Sequence, residues 1–133
     1  MQPRFLLDTH VAVRWLIEAK RLSREQLRVL EGAVRRAEPV ALSGISLLEI
    51  AILVGEEKLR MKAHLVDFFE EFQTGAFRIL PLTCEIAAEV AALGNSLRDP
   101  ADRAIVATAR VHRLRLVTSD QRIIQSKLVP VVE

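Results

Sequence analysis

Residues 4–10 read Arg-Phe-Leu-Leu-Asp-Thr-His (RFLLDTH). Three apolar residues run straight into a carboxylate. The next stretch, Thr9 to Glu18, puts Val11, Trp15 and Leu16 on or near one helical face. A short strand that gives way at once to a helix, with an acid at the joint, is the opening unit of a parallel sheet with helical crossovers. Residues 114–120 (LRLVTSD) repeat the arrangement, with a strand over Leu114–Thr118 and Asp120 just beyond it.

The intervening chain keeps the same alternation. Ser23 and Gln26 form a capping box that opens a second helix reaching about Ala37, and Glu38-Pro39 stops it. Val40–Leu42 is a second short strand. A third helix covers Leu47 to about Val54, ending near Gly55, and a fourth runs from near His64 to just before Gly75. Phe77–Leu80 is a third strand closed by Pro81, and Thr83 caps a fifth helix through Leu93. Asp99-Pro100 opens a sixth helix lasting to about His112, and Leu128–Val132 supplies a fifth strand. No repeat, linker or low-complexity tract interrupts residues 1–133, which are expected to form one domain.

Composition bounds the function. A chain of 133 residues buries roughly two-thirds of its unfolded surface and needs no staples. Half of its residues are hydrophobic but only 5% aromatic, so the core is aliphatic. The lone Cys84 cannot pair internally and forms no Cys/His zinc pattern, which suits a reducing, cytoplasmic setting. No apolar run approaches the roughly 20 residues of a membrane span, and no secretory leader is visible. The net charge of +2 and pI near 9.1 are compatible with a polyanionic partner.

Four acids carry the chemistry. Asp8 and Asp120 follow strands, Asp102 sits in the first turn of the sixth helix, and Glu49 interrupts the aliphatic run LLEIAILV (residues 47–54) in the first turn of the third. In a parallel sheet with helical crossovers such positions share the rim at the carboxyl ends of the strands. Each has a simpler reading. Asp8 could cap the helix from Thr9, Asp120 could hold an Asx turn before Arg122, and Asp102 could favour a helix dipole. Ser46 to Glu49 is itself a capping-box spacing, with Ile45 and Ile50 as a staple. Together, however, four carboxylates at one rim repel one another, and a divalent cation removes the conflict. Oxygen ligands suit Mg²⁺ or Mn²⁺, and beside a basic surface they suit phosphodiester chemistry.

Three blocks, FLLDTHVAVRWL, SGISLLEIAILVGEEKLRM and RDPADRAIVATARVHRLRLVTSD, resemble the PIN-domain ribonucleases, and among them the VapC-like toxins of prokaryotic toxin–antitoxin pairs. FRILPLTCEIAAEVAAL resembles the connector between the later blocks. The resemblance implies a three-layer α/β/α sandwich around a central parallel sheet of four or five strands. It implies a Mg²⁺-dependent (or Mn²⁺-dependent) endoribonuclease in which Asp8, Glu49, Asp102 and Asp120 hold the ion and a metal-activated water cuts RNA. Asp99 is the rival for the third place and is better explained as a helix cap. Ser96, Leu97, Glu85 and Ile86 stand where many relatives carry a histidine nearby.

The resemblance further implies a cognate antitoxin whose C-terminal segment lies over the acidic pocket, and a homodimer formed through apolar helices that include Leu16 or Phe68–Phe72. Thr9 and Ser119 flank acids and are expected to serve packing or capping, and His10 is expected to be structural. Arg103 is expected either to pair with an acid or to meet phosphate. Arg110, Arg113, Arg115, Lys58, Arg60 and Lys62 are expected as solvated surface, with an RNA path as the sharper alternative. Trp15, Phe68, Phe69 and Phe72 are expected to pack rather than stack on bases. The rival reading of the whole chain is a catalytically silent PIN-like module that binds RNA or a partner without cutting.

Overall fold

A computed structural model describes all residues 1–133. Five strands form one parallel sheet: β1 (Phe5–Leu7), β2 (Val40–Ser43), β3 (Phe77–Leu80), β4 (Arg115–Val117) and β5 (Val131–Val132), in the order β3-β2-β1-β4-β5. Seven helices connect them: α1 (Thr9–Ile17), α2 (Arg24–Arg35), α3 (Gly44–Gly55), α4 (Leu65–Thr74), α5 (Cys84–Ala92), α6 (Pro100–His112) and α7 (Gln121–Ser126).

The strands alternate strictly between two cores, as a period of two requires. Phe5, Leu7, Val40, Leu42 and Val117 point to one side, where they meet Val11 and Ala12 of α1, Val29, Leu30 and Ala33 of α2, Ile50 of α3 and Phe68 and Phe72 of α4. Leu6, Ala41, Leu80 and Leu116 point to the other, against Ile86 of α5, Ile105, Val106 and Ala109 of α6 and Ile123 of α7. The result is the expected α/β/α sandwich, with strands apolar on both faces because both are covered.

Two expectations fail locally. The third helix begins at Gly44, not Leu47, because β2 extends to Ser43 and Ser43 is its cap, with Oγ accepting from the Ile45 N–H at 3.2 Å. Glu49 therefore stands in the second turn, Ser46 lies within the helix, and no capping box joins them. Ile45 and Ile50 are not a staple either, since they pack into opposite cores. Helix α7 has no counterpart in the sequence pattern, being only six residues long with Ile123 its one buried residue. The capping box at Ser23 and Gln26 forms as expected, with reciprocal bonds of 3.0 and 3.1 Å.

At the amino edge of the sheet Glu38 is buried between Arg4, which binds it through two nitrogens at 2.6 and 3.0 Å, and Arg36 at 3.0 Å. This ion triad fastens the entries to β1 and β2.

Candidate active site

The chain runs from β1 outward to β2 and β3 on one side, then returns to β4 and β5 on the other, so direction reverses at the seam between β1 and β4. Ligands of open parallel sheets bind beyond the carboxyl ends of strands at such a seam. Leu7 is paired with Val117, so Asp8 and Thr118 leave the sheet side by side.

Asp8 is 4% exposed. Its N–H donates to the Val117 carbonyl at 3.0 Å, its Oδ1 accepts from the Thr9 N–H at 2.9 Å, and its Oδ2 accepts from Thr118 Oγ1 at 2.7 Å. Thr118 Oγ1 in turn accepts from the Asp120 N–H at 3.0 Å, and Asp120 Oδ1 caps α7 by accepting from the Arg122 N–H at 2.9 Å. The two strand-end acids are thus tied through one hydroxyl. The cap and Asx-turn readings of Asp8 and Asp120 are also correct, and they coexist with a shared rim.

Glu49 joins this group from α3. Thr9 Oγ1 donates to Glu49 Oε1 at 2.5 Å and lies 2.8 Å from the fully buried Ser46 Oγ. Burial pushes the Glu49 carboxyl up, the Thr9 hydrogen bond draws it down, and the charges of Asp8 and Asp99 push it up further.

Asp102 enters from the first turn of α6. Asp99 caps that helix, with Oδ2 accepting from the Asp102 N–H at 2.9 Å, as its place before Pro100 predicts. The Asp102 carboxyl is pushed up to about 7, first by burial and then by the charges of Asp99, Asp8, Asp120 and Glu49. One carboxyl therefore feels the other three predicted acids and Asp99. No cation is among the groups acting on Asp102 or Glu49.

No three His, Cys, Asp or Glu side chains lie close enough together to hold one ion as a closed set of ligands. The donors nevertheless suit a hard cation. They are oxygens only, burial and then neighbouring carboxylates push Asp102 up to about 7, and Mg²⁺ keeps several waters while binding one or two carboxylates directly.

Other candidates are settled by their contacts. Arg103 pairs with no acid: its guanidinium donates to the carbonyls of Val90, Gly94 and Leu97 at 2.6–2.8 Å, closing the turn after α5. Arg110, Arg113 and Arg115 stand at the end of α6 and the start of β4, the opposite edge from the acids, where Arg110 binds Glu89 at 2.7 Å. Lys58 pairs with Glu56 at 3.0 Å. Trp15, Phe68, Phe72 and Phe77 form an edge-to-face chain with centroids 4.8–5.7 Å apart, so they pack as expected. Phe68 and Phe72 are buried and offer no dimer surface, whereas Leu16 is exposed. Cys84 is exposed at the start of α5. No helix is long and apolar enough to cross a membrane. Thr118 carries no signal in the sequence, and Ser46 is offered there only as a cap, not as the partner of Thr9. Thr118 could have been found only by knowing that β4 lies beside β1.

A parallel sheet with acids gathered at its reversal seam is the architecture of the PIN domain, and the PIN domain family model matches residues 5–127: the chain belongs to the PIN-domain family. It is VapC-like within that family. It is 36% identical over 119 residues to Ribonuclease VapC22 of Mycobacterium tuberculosis, spanning 89% of this chain and 88% of that protein. The structure is similar to FitAcB from Neisseria gonorrhoeae, with a TM-score of 0.70 and 26% identity over 97% of this chain and 96% of that one. It shares its fold with DNA-bound VapBC from Salmonella typhimurium, with a TM-score of 0.72 and 17% identity over 98% and 97% of the two chains.

Proposed function

We propose that this chain, acting as one PIN domain, is a divalent-metal-dependent endoribonuclease and the toxin of a toxin–antitoxin pair. The observation that carries the reading is geometric: the Thr118 hydroxyl links Asp8 to Asp120, the Thr9 hydroxyl holds Glu49 beside them, and Asp102 feels the charge of all three. An uncompensated acidic cluster repels a phosphodiester, so it suits that substrate only if it binds a cation. The naming of a 36% identical relative as a ribonuclease supports the same substrate class.

Asp8, Glu49, Asp102 and Asp120 would hold Mg²⁺ or Mn²⁺, directly or through water. Bound there, the ion would supply an activated water and neutralise charge on the phosphate. The chain's own work is orientation. Thr118 and the Thr9 N–H fix both oxygens of Asp8, the Thr9 hydroxyl turns Glu49 toward the rim, and Thr118 holds the backbone of Asp120. Side chains already held in this way lose little freedom when the site is loaded.

The antitoxin reading rests on a groove of about 610 Å³ between the end of α1 and α4, lined by Leu16, Ile17, Met61 and Phe68 with Arg60, Lys62, Asp67 and Glu71 at its sides. Ile17 is 45% exposed there. Helix α1 leads from this groove to Asp8, so one extended segment could occupy both. FitAcB and DNA-bound VapBC, which share the fold, support such a partner. Leu48 and Ile52, one turn apart on α3 and exposed, are the surface we assign to a second copy of the chain. A cytoplasmic setting agrees with the free thiol of Cys84.

The test is cleavage of labelled RNA with Mg²⁺ and with chelator. Cutting that requires the ion and falls about 100-fold or more in folded Asp8→Asn supports the reading. Equal cutting by that variant overturns it. RNA bound but never cut at any metal concentration leaves the silent binding module.

A further inference from the structure

His10 lies on the first turn of α1, with its side chain 31% exposed and its Nδ1 3.5 Å from Asp8 Oδ2. Its other ring nitrogen is engaged as well, since Nε2 accepts the Ser119 N–H at 3.0 Å. An N–H can be accepted only by a lone pair. Nε2 is therefore the acceptor in this contact, while Nδ1 lies on the side of Asp8.

Ser119 is also held from a second direction. Gln26 is fully buried, and its Nε2 donates to Ser119 Oγ at 3.0 Å while its Oε1 completes the cap of α2. Ser119 stands between Thr118, which bonds Asp8, and Asp120. Two side chains from two helices thus grip the residue that separates these two rim positions. Caps do not call for this. Gln26 satisfies its capping role with its oxygen alone, and His10 caps nothing.

We propose that His10 is a positioning residue of the site: through Nε2 it clamps the Ser119 backbone and, with Gln26, holds the Thr118–Asp120 segment in register with Asp8. The brace deepens the metal-dependent reading above and rests on it for its purpose. Partners behind the ligands commonly set metal affinity and activity over about 10–100-fold when removed.

The deciding experiment combines imidazole ¹⁵N NMR, Mn²⁺ titration and RNA cleavage on the full chain. The expected spectrum shows His10 Nε2 accepting a hydrogen bond from the Ser119 amide. An Nε2 that receives no hydrogen bond from the Ser119 N–H overturns the brace. His10→Phe is expected to keep the fold, raise half-saturating Mn²⁺ about 10-fold and lower kcat by a similar factor, with KM for RNA unchanged. His10→Gln, whose amide oxygen reaches the position of Nε2, should recover most of both losses. A folded His10→Phe that binds Mn²⁺ like the parent overturns the proposal, as does a folded His10→Gln that recovers nothing. If His10→Phe does not fold, His10→Asn, whose shorter side chain falls short of the Ser119 N–H, should weaken Mn²⁺ about 10-fold; an unchanged titration then overturns the proposal. Should the parent bind Mn²⁺ and cut no RNA, the spectrum and titration still decide the brace, and the nuclease reading alone fails.

Discussion

Thr118 Oγ1 donates to Asp8 Oδ2 at 2.7 Å across the seam between β4 and β1, joining residues 110 positions apart. Thr118 is fully buried, and the same oxygen accepts from the Asp120 N–H. One hydroxyl therefore holds two of the proposed metal-binding acids. Thr118→Val keeps the shape and removes both bonds. It should cost about 1–3 kcal/mol in denaturant unfolding, because a buried carboxylate oxygen and an N–H lose their partner. Cleavage should fall about 10-fold or more through the loosened rim.

Asp102 gives the fold a liability that rises with pH. Its ordinary value is 3.8 and burial with four carboxylates lifts it to about 7, so the folded chain holds the proton more tightly than the unfolded one. Stability is then lost as pH rises from about 4 to about 7, and the loss is complete above that. Asp102→Asn should melt higher than the parent at about pH 8, and the difference should shrink toward about pH 4. Mg²⁺ at about pH 8 should narrow it too. Melting curves across this range, with and without the ion, check the sign.

Thr9 works against burial at Glu49. Its hydroxyl, 2.5 Å from Oε1, draws the carboxyl down while desolvation and nearby charge push it up. Thr9→Val should let Glu49 rise. The acid limb of the kcat–pH profile should then move to higher pH, with stability changed by about 1–2 kcal/mol.

Glu38 behaves in the opposite sense. Hydrogen bonds from Arg4 and Arg36 outweigh burial and draw its carboxyl from 4.5 to about 2. The stability it contributes is present above its ordinary value and disappears as pH falls from about 4.5 toward 2. Glu38→Gln should cost about 2 kcal/mol near neutrality, moderated because both arginines are half in water. It lies at the opposite edge from the acids, so RNA cleavage per folded molecule should not change.

Much of the fold is visible in the alternation of apolar runs and capped helices, since Ser23, Thr83 and Asp99 mark helix starts without tertiary help. The register of α3 is not. The sequence offers Ser46 as the cap, and the length of β2, set by its pairing with β3, gives that place to Ser43 instead. The four acids can be placed at one rim because strand ends and crossover starts converge in any parallel sheet. Their bonding partners cannot, because Thr118 matters through strand order. Arg103 and Arg110 stay open for the same reason: a guanidinium reaches far enough that its partner is decided by tertiary neighbours.

The sheet order also dictates when the site comes into being. Asp8 is made long before the strand that must lie beside it, which ends at Val117, and Asp120 follows only then. A chain cut short before β4 carries three of the four acids with no seam to gather them. During synthesis the proposed site therefore stays unassembled until β4 is made and can pair with β1.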